Sequence, residues 1–139
     1  MSWKVNKTAN YAGKNPILIE GLPGVGNVGK IAVEYLIEAL DAKKVYELVS
    51  DDMPGYVFIN EDNLIELPKI EIYTTKIKGK TIFLLSGDVQ PNTETSCHSF
   101  CNKVLDTFQK NKGKKIITLG GIALNDEPEK PEIYFTANS

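Results

Sequence analysis

The sequence contains no arginine, a single histidine and only two cysteines among its 139 residues. Without arginine the chain lacks the planar guanidinium group that binds phosphates and carboxylates with two parallel hydrogen bonds. This absence disfavours base-specific nucleic-acid recognition and phosphoryl transfer with an arginine finger. Two cysteines cannot form a disulfide framework, so a reducing cytoplasm is the expected compartment.

Long apolar runs and a strong charge imbalance are also missing. No apolar segment approaches the ~20 residues of a membrane span, and residues 1–14 lack the apolar core of a secretory signal. Sixteen lysines oppose 18 acidic residues, which leaves a net charge of −2. We therefore expect neither a membrane nor a nucleic acid as the partner. The hydrophobic content of 42% is that of an ordinary globular domain.

Hydrophobic patterning predicts an alternation of strands and helices. Residues 1–14 are interpreted as an N-terminal arm or edge strand, and residues 15–139 as a single α/β domain. Apolar positions at helical spacing predict helices at Val28–Leu40 and Thr93–Lys110. Strands are predicted at residues 16–20, 44–49, 56–59, 64–67, 70–73, 81–85 and 116–119. This order predicts a three-layer α/β/α sandwich with a mixed, largely parallel sheet.

Two of these strands, 81–85 and 116–119, are apolar or nearly so at every position, and we expect both to be buried in the sheet. The two predicted helices leave part of such a sheet uncovered. Uncovered apolar surface and an open sheet edge favour self-association. The sequence therefore predicts a homo-oligomer.

The few residues with reactive side chains do not form a recognisable catalytic or metal-binding pattern. Cys97 and Cys101 share one face of the second predicted helix, where packing in the core is the favoured interpretation. A zinc site would need further ligands, since His98 is the only histidine. None of the serines near it lies in a G-x-S-x-G elbow. We predict no catalytic residue and no metal site.

The most conspicuous motif is the glycine-rich segment Gly24–Lys30, between the first predicted buried strand and the first helix. It resembles a P-loop, but Ile31 stands where a hydroxyl would bind Mg²⁺. It also fits the three glycines of a dinucleotide-binding fingerprint, although Pro23 just before it has no N–H to offer a pyrophosphate. The simpler alternative is a tight strand-to-helix turn that needs glycine for close packing.

A ligand pocket remains a second hypothesis for this region. Three glycine-containing loops follow predicted strands: Gly21–Gly26, Ser86–Gln90 and Gly120–Gly121. If those strands are parallel, the loops meet at one edge of the sheet. The candidate ligand-binding residues are Gly24, Gly26, Gly29, Asp88 and Gln90. In the alternative interpretation Asp88 accepts hydrogen bonds from loop N–H groups. We predict no bound cofactor.

Several motifs together resemble the proteasome assembly chaperone family, that is, the archaeal and bacterial relatives of the second eukaryotic proteasome-assembling chaperone. The segment Pro16–Gly29, which continues into Ala32–Leu36, is similar to the opening of that family. Met53-Pro54-Gly55, Leu85–Pro91 and Leu119-Gly120-Gly121 follow in the order found there.

The resemblance implies an α/β/α sandwich related to nucleoside phosphorylases. It also implies a non-catalytic, oligomeric, cytoplasmic protein that binds proteasome α-subunits. In its light the glycine motif is a turn of the family. The alternative function is a nucleotide- or nucleoside-binding enzyme or sensor that uses the Gly24–Gly29 loop and Asp88.

Two departures from the family set further expectations. Its members are roughly double this length, so we expect the domain to be incomplete relative to them. Archaeal members can end in a hydrophobic–Tyr–any tripeptide that docks on the proteasome. Here the matching residues, Ile133-Tyr134-Phe135, are internal.

Overall fold

The computed structural model describes residues 3–138, which form a six-stranded mixed sheet, two helices and a separate two-stranded hairpin. The strands are β1 (Lys4–Lys7), β2 (Ile17–Gly21), β3 (Lys43–Val49), β4 (Phe58–Ile59), β5 (Ile65–Glu66), β6 (Ile70–Ile77), β7 (Lys80–Gly87) and β8 (Lys115–Thr118). The helices are α1 (Val28–Ala39) and α2 (Glu94–Lys110), and a short 3₁₀ turn, Val25–Asn27, precedes α1.

The large sheet has the strand order β1-β3-β6-β7-β2-β8. Strand β2 runs parallel to both β7 and β8, and the other three pairings are antiparallel. The mixed sheet is confirmed, but it is not largely parallel as expected. One antiparallel pairing follows from the tight turn at Lys78 and Gly79, which takes positive φ angles of 48° and 76° and reverses the chain directly between β6 and β7. The other two join β3 to β1 and to β6.

The two helices lie on opposite faces of the sheet, which confirms the predicted three-layer sandwich. On the α1 side, Val33 packs in a small core with Ile82 and Leu84. The larger core lies on the α2 side and contains Trp3, Leu18, Val45, Leu48, Ile70, Ile72, Phe83, Leu85, Phe100, Val104 and Phe108. All of Thr81–Gly87 is buried, as predicted for a central strand.

The N-terminal segment forms one edge strand of the sheet, at the opposite end from β8. Strand β1 pairs antiparallel with β3, and Trp3 just before it is only 2% exposed. The indole Nε1 of Trp3 donates a hydrogen bond to the carbonyl oxygen of Ser96, 3.2 Å away. Its ring meets the ring of Phe100 edge to face, with centroids 4.9 Å apart. The arm is thereby fixed to α2.

The opposite edge of the sheet is open. We expected residues 116–119 to be buried, but β8 is the edge strand, and Ile116 and Ile117 are 38% and 40% exposed. No further strand pairs with its outer side among residues 3–138. The expectation was wrong because an apolar strand sequence favours burial but does not show whether another segment of the chain packs against the strand.

Helix α2 presents a different face to the sheet from the one that the cysteines suggested. Its buried residues are Ser96, Phe100, Val104, Thr107 and Phe108. Cys97 and Cys101 are exposed, which corrects the expectation that they pack in the core. They line a groove beside the open β8 edge, where no strand or helix among the described residues covers them.

The remainder of the described chain contributes little to the core. Residues 119–138 contain no helix or strand, and most of them are exposed. Within this segment Ile133 and Phe135 are 92% and 96% exposed. None of the helices among the described residues is long and apolar enough to cross a membrane.

Candidate functional site

The three glycine-containing loops meet at one edge of the sheet, as the parallel arrangement of their strands predicted. Strand β2 lies between β7 and β8 and is parallel to both. The loop that begins at Gly21 therefore stands between the loops after Gly87 and after Thr118. The amide N–H of Leu119 donates to the carbonyl oxygen of Glu20, 2.8 Å away, and extends the pairing into the loops.

Glycine serves close backbone packing at this junction. A Cβ atom on Gly29 would lie 2.2 Å from the carbonyl oxygen of Leu119, and one on Gly21 would lie 2.0 Å from the carbonyl oxygen of Gly29. A Cβ atom on Gly121 would likewise lie 2.2 Å from the carbonyl oxygen of Val25. Close packing in the strand-to-helix turn therefore explains why position 29 is a glycine. The close contacts of Gly21 and Gly121 were not predicted, although each residue lies in a loop that was expected to converge here.

The turn itself uses left-handed backbone conformations. Gly26 has a φ of 62° and Asn27 a φ of 50°. Asn27 occupies the N-cap position of α1, but its side chain accepts no hydrogen bond from the helix. Its role is conformational, since asparagine tolerates the left-handed region better than most residues. Gly24 is extended, and a Cβ built there meets nothing closer than Gln90 Nε2 at 3.6 Å.

The ammonium group of Lys30 is engaged by the protein itself. It pairs with the carboxylate of Glu34 one turn along α1 and donates to the carbonyl oxygen of Gly87 at 3.0 Å. Asp88 Oδ1 lies 3.9 Å away. A P-loop lysine must instead point its charge at a nucleotide phosphate. Here two carboxylates already neutralise that charge.

Asp88 is held by a reciprocal pair of bonds to the start of β6. Its Oδ2 accepts from the amide N–H of Lys69 at 3.1 Å, and its own N–H donates to the carbonyl oxygen of Lys69 at 2.8 Å. The carboxylate thus satisfies a loop N–H, which is the structural alternative named above. Gln90 is exposed.

A small polar crevice of about 160 Å³ lies beside Asp88, between α1 and the β6–β7 pair. Its charged lining is Glu34, Glu38, Lys69, Glu71 and Asp88. Lys44 Nζ bonds Glu71 at 2.9 Å, and this bond raises the pKa of the Lys44 ammonium group. Burial, followed by a hydrogen bond to Glu71, raises the pKa of Tyr73 well above its usual value. Glu34, Lys69, Glu71 and Asp88 are each paired with an opposite charge of the protein.

The reactive side chains form no assembled centre. Partial desolvation beside α2, with Cys97 as a further cause, raises the pKa of the Cys101 thiol and so disfavours its thiolate. His98 is exposed. Among residues 3–138, no group of three His, Cys, Asp or Glu side chains is placed to hold a metal ion.

An apolar groove of about 340 Å³ opens between α2 and the β8 edge. Its apolar lining is Leu18, Leu22, Leu85, Phe100, Val104, Leu105 and Ile116, with both cysteines on its outer side. Glu20 stands in this groove with its Oε1 accepting from the amide N–H of Leu22 at 2.9 Å. Burial raises the pKa of the Glu20 carboxyl. The groove is chemically suited to apolar contacts.

Solved structures of two archaeal proteins share this fold. PbaB of Pyrococcus furiosus, described as an archaeal proteasome activator, is 34% identical with a TM-score of 0.86; the match covers 93% of this chain and 55% of PbaB. PbaA of the same organism, described as an archaeal homolog of proteasome-assembly chaperone, is 25% identical with a TM-score of 0.68; the match covers 91% of this chain and 50% of PbaA.

A curated relative shows the same relation of lengths. The uncharacterized protein MJ1210 of Methanocaldococcus jannaschii is 28% identical over 126 residues, which are 91% of this chain and 48% of the relative. The chain thus spans about half the length of the relatives it matches. The sequence model of the PAC2 family matches residues 18–139, nearly the whole chain. The protein belongs to the PAC2 family, as the resemblance to proteasome assembly chaperones implied.

Proposed function

We propose that this chain is a non-catalytic interaction protein that binds proteasome α-subunits in the manner of an assembly chaperone. The similarity to PbaA and PbaB supports a role at the proteasome. One structural observation carries the non-catalytic part of the proposal. The loops where a substrate would bind are occupied by the protein's own backbone and by the Lys30 ion pairs, whereas large apolar side chains lie exposed elsewhere.

A homo-oligomer is part of the proposal. The open edge of β8 carries unpaired backbone groups, and the groove beside it leaves apolar side chains uncovered. Both features favour association with further polypeptide. We expect sedimentation velocity at micromolar concentration to give a species larger than 15.4 kDa. A monodisperse, folded monomer would contradict this part.

We further propose that the chain acts in the cytoplasm. Both cysteines are free thiols. This is the usual state of cysteine in a reducing compartment.

The direct test is binding of purified proteasome α-subunits to the immobilised chain, with β-subunits from the same proteasome as the control. We expect saturable binding of α-subunits and none of β-subunits. Equal retention of both, or of neither, would contradict the proposal. Calorimetry on the same pair then gives the affinity and the stoichiometry.

A thermal-shift panel separates this proposal from a nucleotide-binding protein that uses the Gly24–Gly29 loop and Asp88. The panel contains NAD, NADP, ATP and nucleosides. A ligand at about 100 times its Kd stabilises a protein by roughly 2.7 kcal/mol. We expect no shift of the melting temperature with any of them, and a saturable increase would favour the nucleotide-binding function.

A further inference from the structure

The hairpin formed by β4 and β5 stands apart from the six-stranded sheet as its own two-stranded unit. Its large apolar side chains between residues 56 and 67 are 39% to 72% exposed. They are Tyr56, Val57, Phe58, Ile59, Leu64, Ile65 and Leu67. An apolar cluster of this density on a protein surface is typical of an interaction site.

The hairpin is held in shape by its turn. The side-chain oxygen of Asn60 accepts from the amide N–H groups of Asp62 and Leu64, at 3.0 and 2.9 Å. Its side-chain nitrogen donates to Glu66 at 3.0 Å, and this bond is the main reason that the pKa of the Glu66 carboxyl is lowered. An isolated two-stranded hairpin is marginally stable in water. These hydrogen bonds therefore stabilise the hairpin conformation, which two strands alone would hold only weakly.

The charge around the hairpin restricts what can cover it. Residues 51–67 contain five carboxylates and no lysine, and one of the five, Glu66, is paired with Lys69 just beyond the hairpin, at 3.3 Å. The carboxylates are Asp51, Asp52, Glu61, Asp62 and Glu66. Two such hairpins facing each other would repel, which disfavours a symmetric contact between copies of this chain. Charge complementarity instead favours a surface that carries lysine or arginine around an apolar centre.

We propose that the hairpin docks into an apolar groove, rimmed by lysine or arginine, on another protein. This inference rests on the proposed function, under which the protein that carries the groove is the proteasome α-subunit. The side chains of Ile59 and Ile65 enter the groove, because they are directly paired in the hairpin and are among its most exposed residues, at 71% and 72%. Glu61 and Asp62 at the turn face the basic rim.

The first test removes the apolar contact. We expect the double variant Ile59→Thr/Ile65→Thr to bind the α-subunit at least about tenfold more weakly than the parent chain, as for a central apolar contact of an interface. Threonine keeps a β-branched side chain and so supports the strands. The matched control is Ile31→Gln/Tyr35→Gln, which removes two exposed apolar residues from the outer face of α1. The control keeps parental affinity.

The second test reverses the charge. Glu61→Lys/Asp62→Lys weakens binding about tenfold and reduces its dependence on salt, because the attraction to the basic rim is lost. The control Glu127→Lys/Glu129→Lys makes the same change in net charge in the exposed C-terminal segment. It leaves the affinity and its salt dependence within about twofold of the parent, since under the proposal these two side chains do not face the basic rim.

The outcomes distinguish the two levels of the proposal. If the parent chain does not bind α-subunits, both the proposed function and the hairpin contact are overturned. If the parent binds and both hairpin variants bind equally well, only the hairpin contact is overturned. If the hairpin variants instead convert an oligomer of this chain into a smaller species and keep their α-subunit affinity, the groove belongs to a second copy and the proposed occupant is wrong. Circular dichroism of each variant confirms that it is folded.

Discussion

The two ends of the sheet, β1 and β8, differ in how other segments of the chain cover the apolar side chains near them. At the β1 edge, Trp3 is fixed to α2 and Leu48 on the adjoining strand is fully buried. At the β8 edge, Ile116 and Ile117 are exposed and the groove beside α2 is open. The apolar residues at the two edges are similar in kind. What distinguishes a buried core from exposed apolar surface here is therefore the presence of a neighbouring segment.

The strongest contrast between the edges is expected at the chain's two terminal segments. Trp3→Ala removes a buried indole, its bond to Ser96 and its contact with Phe100, and we expect it to lower the free energy of unfolding by about 3–5 kcal/mol. Phe135→Ala, at a residue that is 96% exposed, changes it by less than about 0.5 kcal/mol. Urea denaturation measures both. Equal effects would remove the distinction.

Within the sheet, the stability cost of truncating an apolar side chain is expected to differ between β7 and β8. Leu84 is fully buried, so Leu84→Ala costs about 3 kcal/mol through lost burial and the cavity left behind. Ile117→Ala costs less than about 1 kcal/mol, because its side chain is already partly in water. The two variants are compared by thermal and urea unfolding of the free chain. A cost for Ile117→Ala as large as that for Leu84→Ala would mean that β8 is covered after all.

At the loop junction, two glycines are expected to respond in opposite ways. Gly29→Ala places a methyl group 2.2 Å from the carbonyl oxygen of Leu119, and we expect a loss of about 2 kcal/mol as the segments move apart. Gly24→Ala has free space and an extended backbone, so it is neutral or stabilises by about 0.5 kcal/mol. If Gly24→Ala were the more damaging change, the loop would carry a constraint other than packing.

Lys30→Ala is expected to cost about 1 kcal/mol or less, since its partners Glu34 and Asp88 remain partly exposed to water. Affinity for the α-subunit stays the same, because Lys30 faces the protein's own loop. The measurement is the unfolding free energy together with calorimetric binding. Loss of binding with unchanged stability would revive the nucleotide-binding alternative.

The smallest effect concerns pH at the open groove. Burial raises the pKa of Glu20 above its usual value of 4.5, so the folded state holds this proton more tightly than the unfolded state. Stability from this group therefore falls as the pH rises from 4.5 through the raised pKa and is constant above it. The variant Glu20→Gln does not titrate at this position, so the stability of the variant relative to the parent increases as the pH rises from 4 to 7. A constant difference across this range would contradict the assignment.

The sequence predicted the layers of this fold better than its edges. Periodicity located α1 and α2, and the apolar run at 81–85 correctly indicated a central strand, because burial on both faces excludes polar side chains. The same logic failed for β8, whose apolar residues lie at an open edge. The prediction also failed for Cys97 and Cys101. Helical spacing shows that they lie on the apolar side of α2, but it does not show which part of that side contacts the sheet.

The loop junction was predicted in part. The parallel strands brought the glycine loops together as expected, but the close contacts of Gly21 and Gly121 follow from the exact approach of three backbone segments. The pairing of Lys30 with Asp88 and Gly87 joins residues distant in sequence. The hairpin at 58–66 was predicted as two short strands, but its isolation from the large sheet depends on the topology.

Under the proposed function, this chain works through exposed apolar surface and not through a ligand held by the glycine loop. Hydrogen–deuterium exchange of the free chain and of its mixture with saturating α-subunit tests it directly. We expect slower exchange in residues 56–67 on addition of the α-subunit, with residues 24–30 and 86–90 unchanged. Slower exchange confined to those two loops, or no change anywhere, would contradict the account.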